Sequence, residues 1–209
     1  MTTAVLEQTD NPLTIEPVSS RDYINIYEVG DALDDAAAAV IADAEGGHWK
    51  DSLTHGGTEA KKDLAVRHSS QQDFPSVNSP SLHVPFLRYS ALCLKNYLDM
   101  FPAANNFTPF SINENYNIVR YLPGQAYHGE HSDFYSNYRT PMARRHLTGL
   151  CFLNDMVDGG ELEFPQQEMR VKPTTGRFVI FPSGWMHTHR TLPSATDTRY
   201  VFQLWWSFS

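Results

Sequence analysis

Apolar positions along the chain follow a helical period up to about Phe107 and a period of two beyond it. In the first part, the run 31–44 (DALDDAAAAVIADA) is rich in the best helix former and meets a stop at Gly46-Gly47, which predicts a helix. The run 84–100 places Phe86, Tyr89, Leu92, Cys93, Tyr97 and Met100 at helical spacing. It predicts a long amphipathic helix packed on a sheet, ended by Pro102, with Cys93 as a small buried hydrophobe. Strands are expected at 23–29 and 49–53. The polar stretch 54–81, with Gly56-Gly57, Gln71-Gln72 and Pro75, reads as a long loop with one ordered piece at 64–69, and a loop of that length is expected to act as a lid.

Beyond Phe107 the alternation predicts strands at 115–121, 147–153, 162–164, 169–171, 177–181 and 200–206, with turns at Asp158-Gly159-Gly160 and Thr175-Gly176. Two helices followed by many short antiparallel strands predict an α+β, mainly β fold: a double-sheet jelly-roll core backed by N-terminal helices. The expected organisation is a single domain, 1–209, with a frayed end (about 1–15), a supporting part (16–110) and a jelly-roll core (111–209).

The chain has 209 residues and a net charge of −8. An acidic balance argues against a broad phosphate-binding surface, so no nucleic-acid partner is expected, and a peptide or small molecule is the better fit. Two cysteines, Cys93 and Cys151, with no C-x-x-C, provide neither a disulfide framework nor a zinc spacing and favour a reducing compartment. The N-terminal residues lack a basic and apolar leader pattern, and no apolar run approaches the roughly 18–20 residues that span a bilayer, so a cytoplasmic protein with no membrane partner is expected.

Candidate chemistry centres on His131-Ser132-Asp133 and on the distant His189. Residues i and i+2 of an extended segment project to one side, so His131 and Asp133 can present an imidazole and a carboxylate to one point. A second histidine from a later strand would complete a 2-His-1-carboxylate face with open positions opposite, the arrangement of non-haem Fe(II) oxygenases. Spacing leaves rivals open: His128 with Glu130 could supply the same two donors, and His187 lies on the same side as His189. His48, His55, His68, His83 and His146 have no ligand-spaced partner and read as exposed or locally hydrogen-bonded.

Residues 116–206 resemble the Fe(II)/2-oxoglutarate dioxygenases of the prolyl 4-hydroxylase type. The matching pieces are Tyr121-x-x-Gly124-x-x-Tyr127, His131-x-Asp133, TGLCFLND, GGELEF, GRFVIFPS, and His189 followed by Pro193 and Arg199, with LAVRHS (64–69) a weaker echo. The resemblance implies a double-stranded β-helix core, with His131, Asp133 and His189 as catalytic iron ligands; only His189 keeps the family distance to Pro193 and Arg199. It implies Arg199 for the far carboxylate of 2-oxoglutarate, where a planar guanidinium forms two parallel charge-assisted bonds. Tyr121 is implied as a hydrogen-bond donor to the co-substrate. Where several relatives carry a tyrosine aimed at the distal carboxylate, this chain has Phe152, and Thr148 on the same strand face is expected to offer a hydroxyl instead.

The implied cofactors are Fe(II), 2-oxoglutarate as co-substrate and dioxygen, with ascorbate as reductant. The implied reaction couples oxidative decarboxylation of 2-oxoglutarate to C–H hydroxylation, foremost of a prolyl residue in a peptide or protein. A free amino acid or other small molecule is the alternative substrate, and a cupin-like metal-binding protein or a catalytically silent binding module the alternative from another class. The segment 134–146 (FYSNYRTPMARRH) is dense in aromatics and arginines. Tyr135, Tyr138 and Trp185 are expected to offer flat surfaces to a peptide, and Arg139, Arg144 and Arg145 to hold its carbonyls or an acidic group.

Overall fold

The alternation in RYVFQLWWSF becomes the longest strand of the protein, and its two faces meet two different cores. The computed structural model describes residues 15–56, 59–137 and 139–209. In chain order the elements are β1 (Ser19–Arg21), β2 (Ile24–Tyr27), α1 (Asp34–Gly46), β3 (Lys50–Asp51), β4 (Thr54–Gly56), β5 (Glu59–Lys61), β6 (Ser70–Phe74) and α2 (Val84–Met100). They continue with β7 (Phe110–Ser111), β8 (Tyr116–Tyr121), β9 (Arg145–Phe152), β10 (Leu162–Phe164), β11 (Met169–Val171), β12 (Phe178–Pro182), β13 (Arg190–Thr191) and β14 (Arg199–Phe208).

The main sheet runs β1-β2-β12-β9-β14-β8-β6-β3, with β7 also on β14, and a smaller sheet runs β11-β10-β13. Every pairing is antiparallel. The two sheets face each other as a double-stranded β-helix, with Leu150, Phe152, Leu162, Phe164, Val179 and Val201 between them. On the opposite face of the main sheet, Phe202, Leu204 and Trp206 of β14 pack with Tyr89, Cys93 and Tyr97 of α2 and Val40 of α1. Gly149 makes room there: a Cβ would lie 2.8 Å from the Phe178 ring and 2.9 Å from Leu204 and Trp206.

Packing rather than propensity holds α2, since burying each large apolar side chain contributes roughly 1.5–3 kcal/mol, against propensity differences of at most about 0.7 kcal/mol. Its boundaries match the periodicity, but its buried stripe is narrower than expected: Phe86, Tyr89, Ser90, Cys93 and Tyr97 are covered while Met100 is 40% exposed. At α1 the first turn, Gly30–Leu33, is a tighter 3-10 segment, and Gly47 follows the last helical residue. The strand expected at 49–53 is reduced to β3, and the frayed end expected at 1–15 lies, apart from Ile15, outside the described residues.

The stretch 54–81 is more ordered than its composition predicts. Its polar segment SQQDF forms β6, paired in register with β8, and 64–69 is a turn tied to 126–129 by a bridge between Arg67 and Tyr127 and by hydrogen bonds from the His68 N–H to the Ala126 carbonyl and from the Gly129 N–H to the Val66 carbonyl. β6 carries no apolar alternation because all five of its residues are half-buried. Among the described residues no helix is long and apolar enough to cross a membrane.

Candidate metal centre and anion pocket

His131 and His189 are brought together by backbone pairing. The N–H of each donates to the carbonyl of the other, at 3.0 and 2.9 Å, just before the second of them leads into β13. Asp133 lies two residues on from His131, and the ligand atoms of His131, Asp133 and His189 all fall within 4.8 Å of one another.

Hydrogen bonds set the tautomer of both imidazoles. Nδ1 of His131 lies 3.0 Å from the Gly129 carbonyl and Nδ1 of His189 lies 3.1 Å from the His187 carbonyl. A carbonyl only accepts, so each Nδ1 carries a proton, and Nε2 is the nitrogen each ring has left for a metal. Tyr127 stacks on the His131 ring at 3.5 Å between centroids, and Phe181 packs edge-on against His189 at 4.9 Å. Desolvation, and then the neighbouring His189, hold the His131 pKa well below that of an ordinary imidazole, which keeps it neutral and able to coordinate.

Burial alone would raise the Asp133 pKa. His189, Arg145, His131 and the Thr148 hydroxyl together hold it below the usual carboxylate range. The Thr148 hydroxyl donates to Asp133 Oδ2 at 2.7 Å and contacts the Ser183 hydroxyl at 2.9 Å. Two imidazoles and one carboxylate, each oriented by a second partner, form a donor set that fits Fe(II).

Above this cluster opens a cavity of roughly 270 Å³. The inward face of β14 supplies Arg199, Val201, Gln203 and Trp205, and β8 supplies Asn117, Val119 and Tyr121. Arg199 is 2% exposed; its Nη1 donates to the Gly160 carbonyl at 2.6 Å and its Nη2 to Thr191 Oγ1 at 2.8 Å. Gly160 has φ +73°, so the turn that offers this carbonyl suits glycine. The Tyr121 ring lies 4.2 Å from the guanidinium carbon. Nε of Arg199 has no partner, and Arg199 has no carboxylate partner among the described residues. Desolvation pulls its pKa down, yet a guanidinium stays protonated, so a buried cation lines the cavity.

The rival donors lie elsewhere. His128 and Glu130 are exposed, and Glu130 accepts from Thr188 Oγ1 outside the cavity. His187 is buried with Nε2 2.7 Å from the Asp22 carbonyl and takes no part in the cluster. Thr148, expected at the co-substrate carboxylate, is engaged with Asp133 and Ser183 instead, because β9 carries it to the metal end of the strand face. The hydroxyl beside Arg199 belongs to Thr191, and Phe152 lies 6.0 Å from the guanidinium carbon. His83, expected to be exposed or locally bonded, is 1% exposed, with Nδ1 2.8 Å from the Tyr116 hydroxyl.

Of the residues expected to meet a substrate, Tyr135 and Arg145 line the cavity. Arg139 and Arg144 line a separate cleft with Asn113 and Glu114, Trp185 is 78% exposed, and Tyr138 lies outside the described residues. The wall also includes Lys50, with Arg67 and Gln71 from the stretch 54–81 that was expected as a lid, and Gln203 and Trp205, which share the face of Arg199 by simple alternation.

Comparison with known proteins places this geometry. Residues 116–207 match the model of the 2OG-Fe(II) oxygenase superfamily. A mimivirus protein (Acanthamoeba polyphaga mimivirus), provisionally described as a prolyl 4-hydroxylase, is 30% identical over 111 residues, 46% of each chain. The chain thus spans about half the length of the curated relatives it matches. Among solved structures, the viral collagen prolyl hydroxylase of Paramecium bursaria Chlorella virus-1 superposes with a TM-score of 0.66 at 18% identity, covering 90% of this chain and 97% of that one. A prolyl hydroxylase of Trichoplax adhaerens, in complex with a hypoxia inducible factor oxygen degradation domain peptide fragment, superposes with a TM-score of 0.69 at 16% identity, covering 88% and 83%.

Proposed function

We propose, from the match of residues 116–207 to the 2OG-Fe(II) oxygenase superfamily, that this chain is an Fe(II)- and 2-oxoglutarate-dependent dioxygenase that hydroxylates prolyl residues of a peptide or protein. The observation that carries the reading is the pairing of two elements in one cavity. One end holds two imidazole Nε2 atoms and a carboxylate whose ligand atoms converge within 4.8 Å, and the wall carries a buried guanidinium with an unpartnered Nε.

His131, Asp133 and His189 would hold the iron, and Arg199 would bind the far carboxylate of 2-oxoglutarate, with Thr191 and the Gly160 carbonyl fixing the guanidinium plane. When bound, iron with 2-oxoglutarate and dioxygen supplies oxidative decarboxylation coupled to insertion of oxygen into a C–H bond. The chain's own residues bind, orient and exclude water. Tyr121 backs the guanidinium, Leu150, Leu162 and Val201 keep the inner wall apolar, and Tyr127, Tyr135 and Trp205 offer flat surfaces to a substrate ring.

A prolyl substrate is supported by the relatives, one of which is a prolyl hydroxylase bound to a peptide. The polar rim of Lys50, Asp51, Arg67 and Gln71 suits an extended chain rather than a lone amino acid. We read 111–209 as the catalytic core and 16–110 as its support. A reducing, cytoplasmic setting fits Cys93 and Cys151, both free and buried.

The test is anaerobic titration of the Fe(II)-loaded protein with 2-oxoglutarate, followed by assays of succinate formation. A visible charge-transfer band on addition of the keto acid, and succinate release stimulated by proline-containing peptides more than by free proline or lysine, are expected. Absence of the band in folded, iron-loaded protein would overturn the reading, and stimulation by free amino acids alone would overturn the peptide substrate.

A further inference from the structure

Arg145 reaches toward the carboxylate of Asp133 without closing on it. Its Nη1 stands 4.0 Å from Asp133 Oδ1 and donates at 3.3 Å to the main-chain carbonyl of the same residue. Glu114 takes the rest of the fork: Nε donates to Oε1 at 3.0 Å and Nη2 to Oε2 at 2.6 Å. The side chains of Arg145, Glu114 and Asp133 are 10%, 11% and 6% exposed, so their charges interact with little screening. Ser207 Oγ donates to Glu114 Oε1 at 3.0 Å, and the guanidinium carbon of Arg145 lies 3.5 Å from the centre of the Trp205 ring.

A guanidinium this near a buried carboxylate would be expected to pair with it in the bidentate fashion. Such a pair would occupy the lone pairs that a divalent cation needs, and an uncompensated positive charge beside the site would repel the cation as well. Glu114 opposes both effects, because it claims two of the three guanidinium nitrogens and cancels the charge.

We propose that Glu114 is a positioning residue that holds Arg145 off the Asp133 carboxylate and neutralises it, keeping Asp133 available to a divalent metal. This rests on the reading of His131, Asp133 and His189 as the metal ligands. The ion pair then has a role beyond stability, since its removal frees a competitor for the ligand.

The experiment is Co(II) titration of the metal-free protein, read by calorimetry and by the visible ligand-field bands, with far-ultraviolet circular dichroism to check the fold. Glu114→Gln is expected to weaken Co(II) binding by at least about 10-fold, the lower end for loss of an outer partner of a metal site. The double variant Glu114→Gln with Arg145→Met removes the competitor too and is expected to return to within about threefold of the wild type, since residues acting through one another are non-additive. Arg145→Met alone, which does not depend on the folding of the Glu114 variant, is expected to bind Co(II) at least as tightly as the wild type.

If Glu114→Gln binds like the wild type, or Arg145→Met loses binding, the inference is overturned while the metal centre stands. If the wild type binds no Co(II), or His189→Ala binds it equally well, the metal centre itself falls and this inference with it.

Discussion

The Thr148 hydroxyl donates to Oδ2 of Asp133 across 2.7 Å, in a site where Thr148 is fully buried and Asp133 is 5% exposed. Thr148→Val keeps the shape and removes the donor. Metal affinity should fall by about 10- to 100-fold, as for other lost outer-layer partners, and Thr148→Ser should restore most of it. The check is Co(II) affinity of each variant; a loss confined to 2-oxoglutarate affinity would return Thr148 to the co-substrate end.

Arg199 has no carboxylate partner among the described residues and offers an unused Nε. Arg199→Ala should raise the 2-oxoglutarate concentration needed for half-maximal turnover by roughly 10- to 100-fold, the scale of one or two charge-assisted hydrogen bonds. Co(II) affinity should stay at the wild-type value. Equal losses of both affinities would show that the variant disturbs the whole cavity.

His187 and His189 are neighbours in sequence with opposite surroundings: one contacts the Asp22 carbonyl, the other joins the metal cluster. His189→Ala should abolish metal binding and turnover. His187→Ala should leave metal binding intact and cost about 1 kcal/mol of stability for one hydrogen bond, measured by urea unfolding. The reverse pattern would exchange their assignments.

His83, His146 and His187 all have pKa values lowered by burial. Each binds its proton less readily folded than unfolded, so between the two pKa values the unfolded chain carries more protons and stability rises with pH. Stability is therefore expected to be fullest above the unfolded value of about 6.5 and to decline as pH drops below it. His83→Gln should reduce that slope by up to one proton in urea unfolding series between pH 7 and pH 5, and an unchanged slope would remove His83 from the account.

Much of the architecture was legible because local periodicity and burial agree. α2 has the boundaries its stripe predicts, β10 and β11 fall on the expected residues, and the faces of β14 divide as alternation requires: Arg199, Val201, Gln203 and Trp205 to the cavity, Phe202, Leu204 and Trp206 to the helices. β6 was not legible. It is a polar strand held by pairing with β8, and backbone hydrogen bonds leave no signature in side-chain pattern.

The same division runs through the site. The i, i+2 spacing by itself determined that His131 and Asp133 share a side, and motif order pointed to His189 and Arg199. Only the tertiary structure decided that Glu130 faces outward, that Thr148 serves Asp133 rather than Arg199, and that Glu114, Arg145 and Thr191 stand behind the principal residues. The reason is physical: alternation tells which face a side chain takes, but which groups meet across that face depends on strand register and on contacts tens of residues apart.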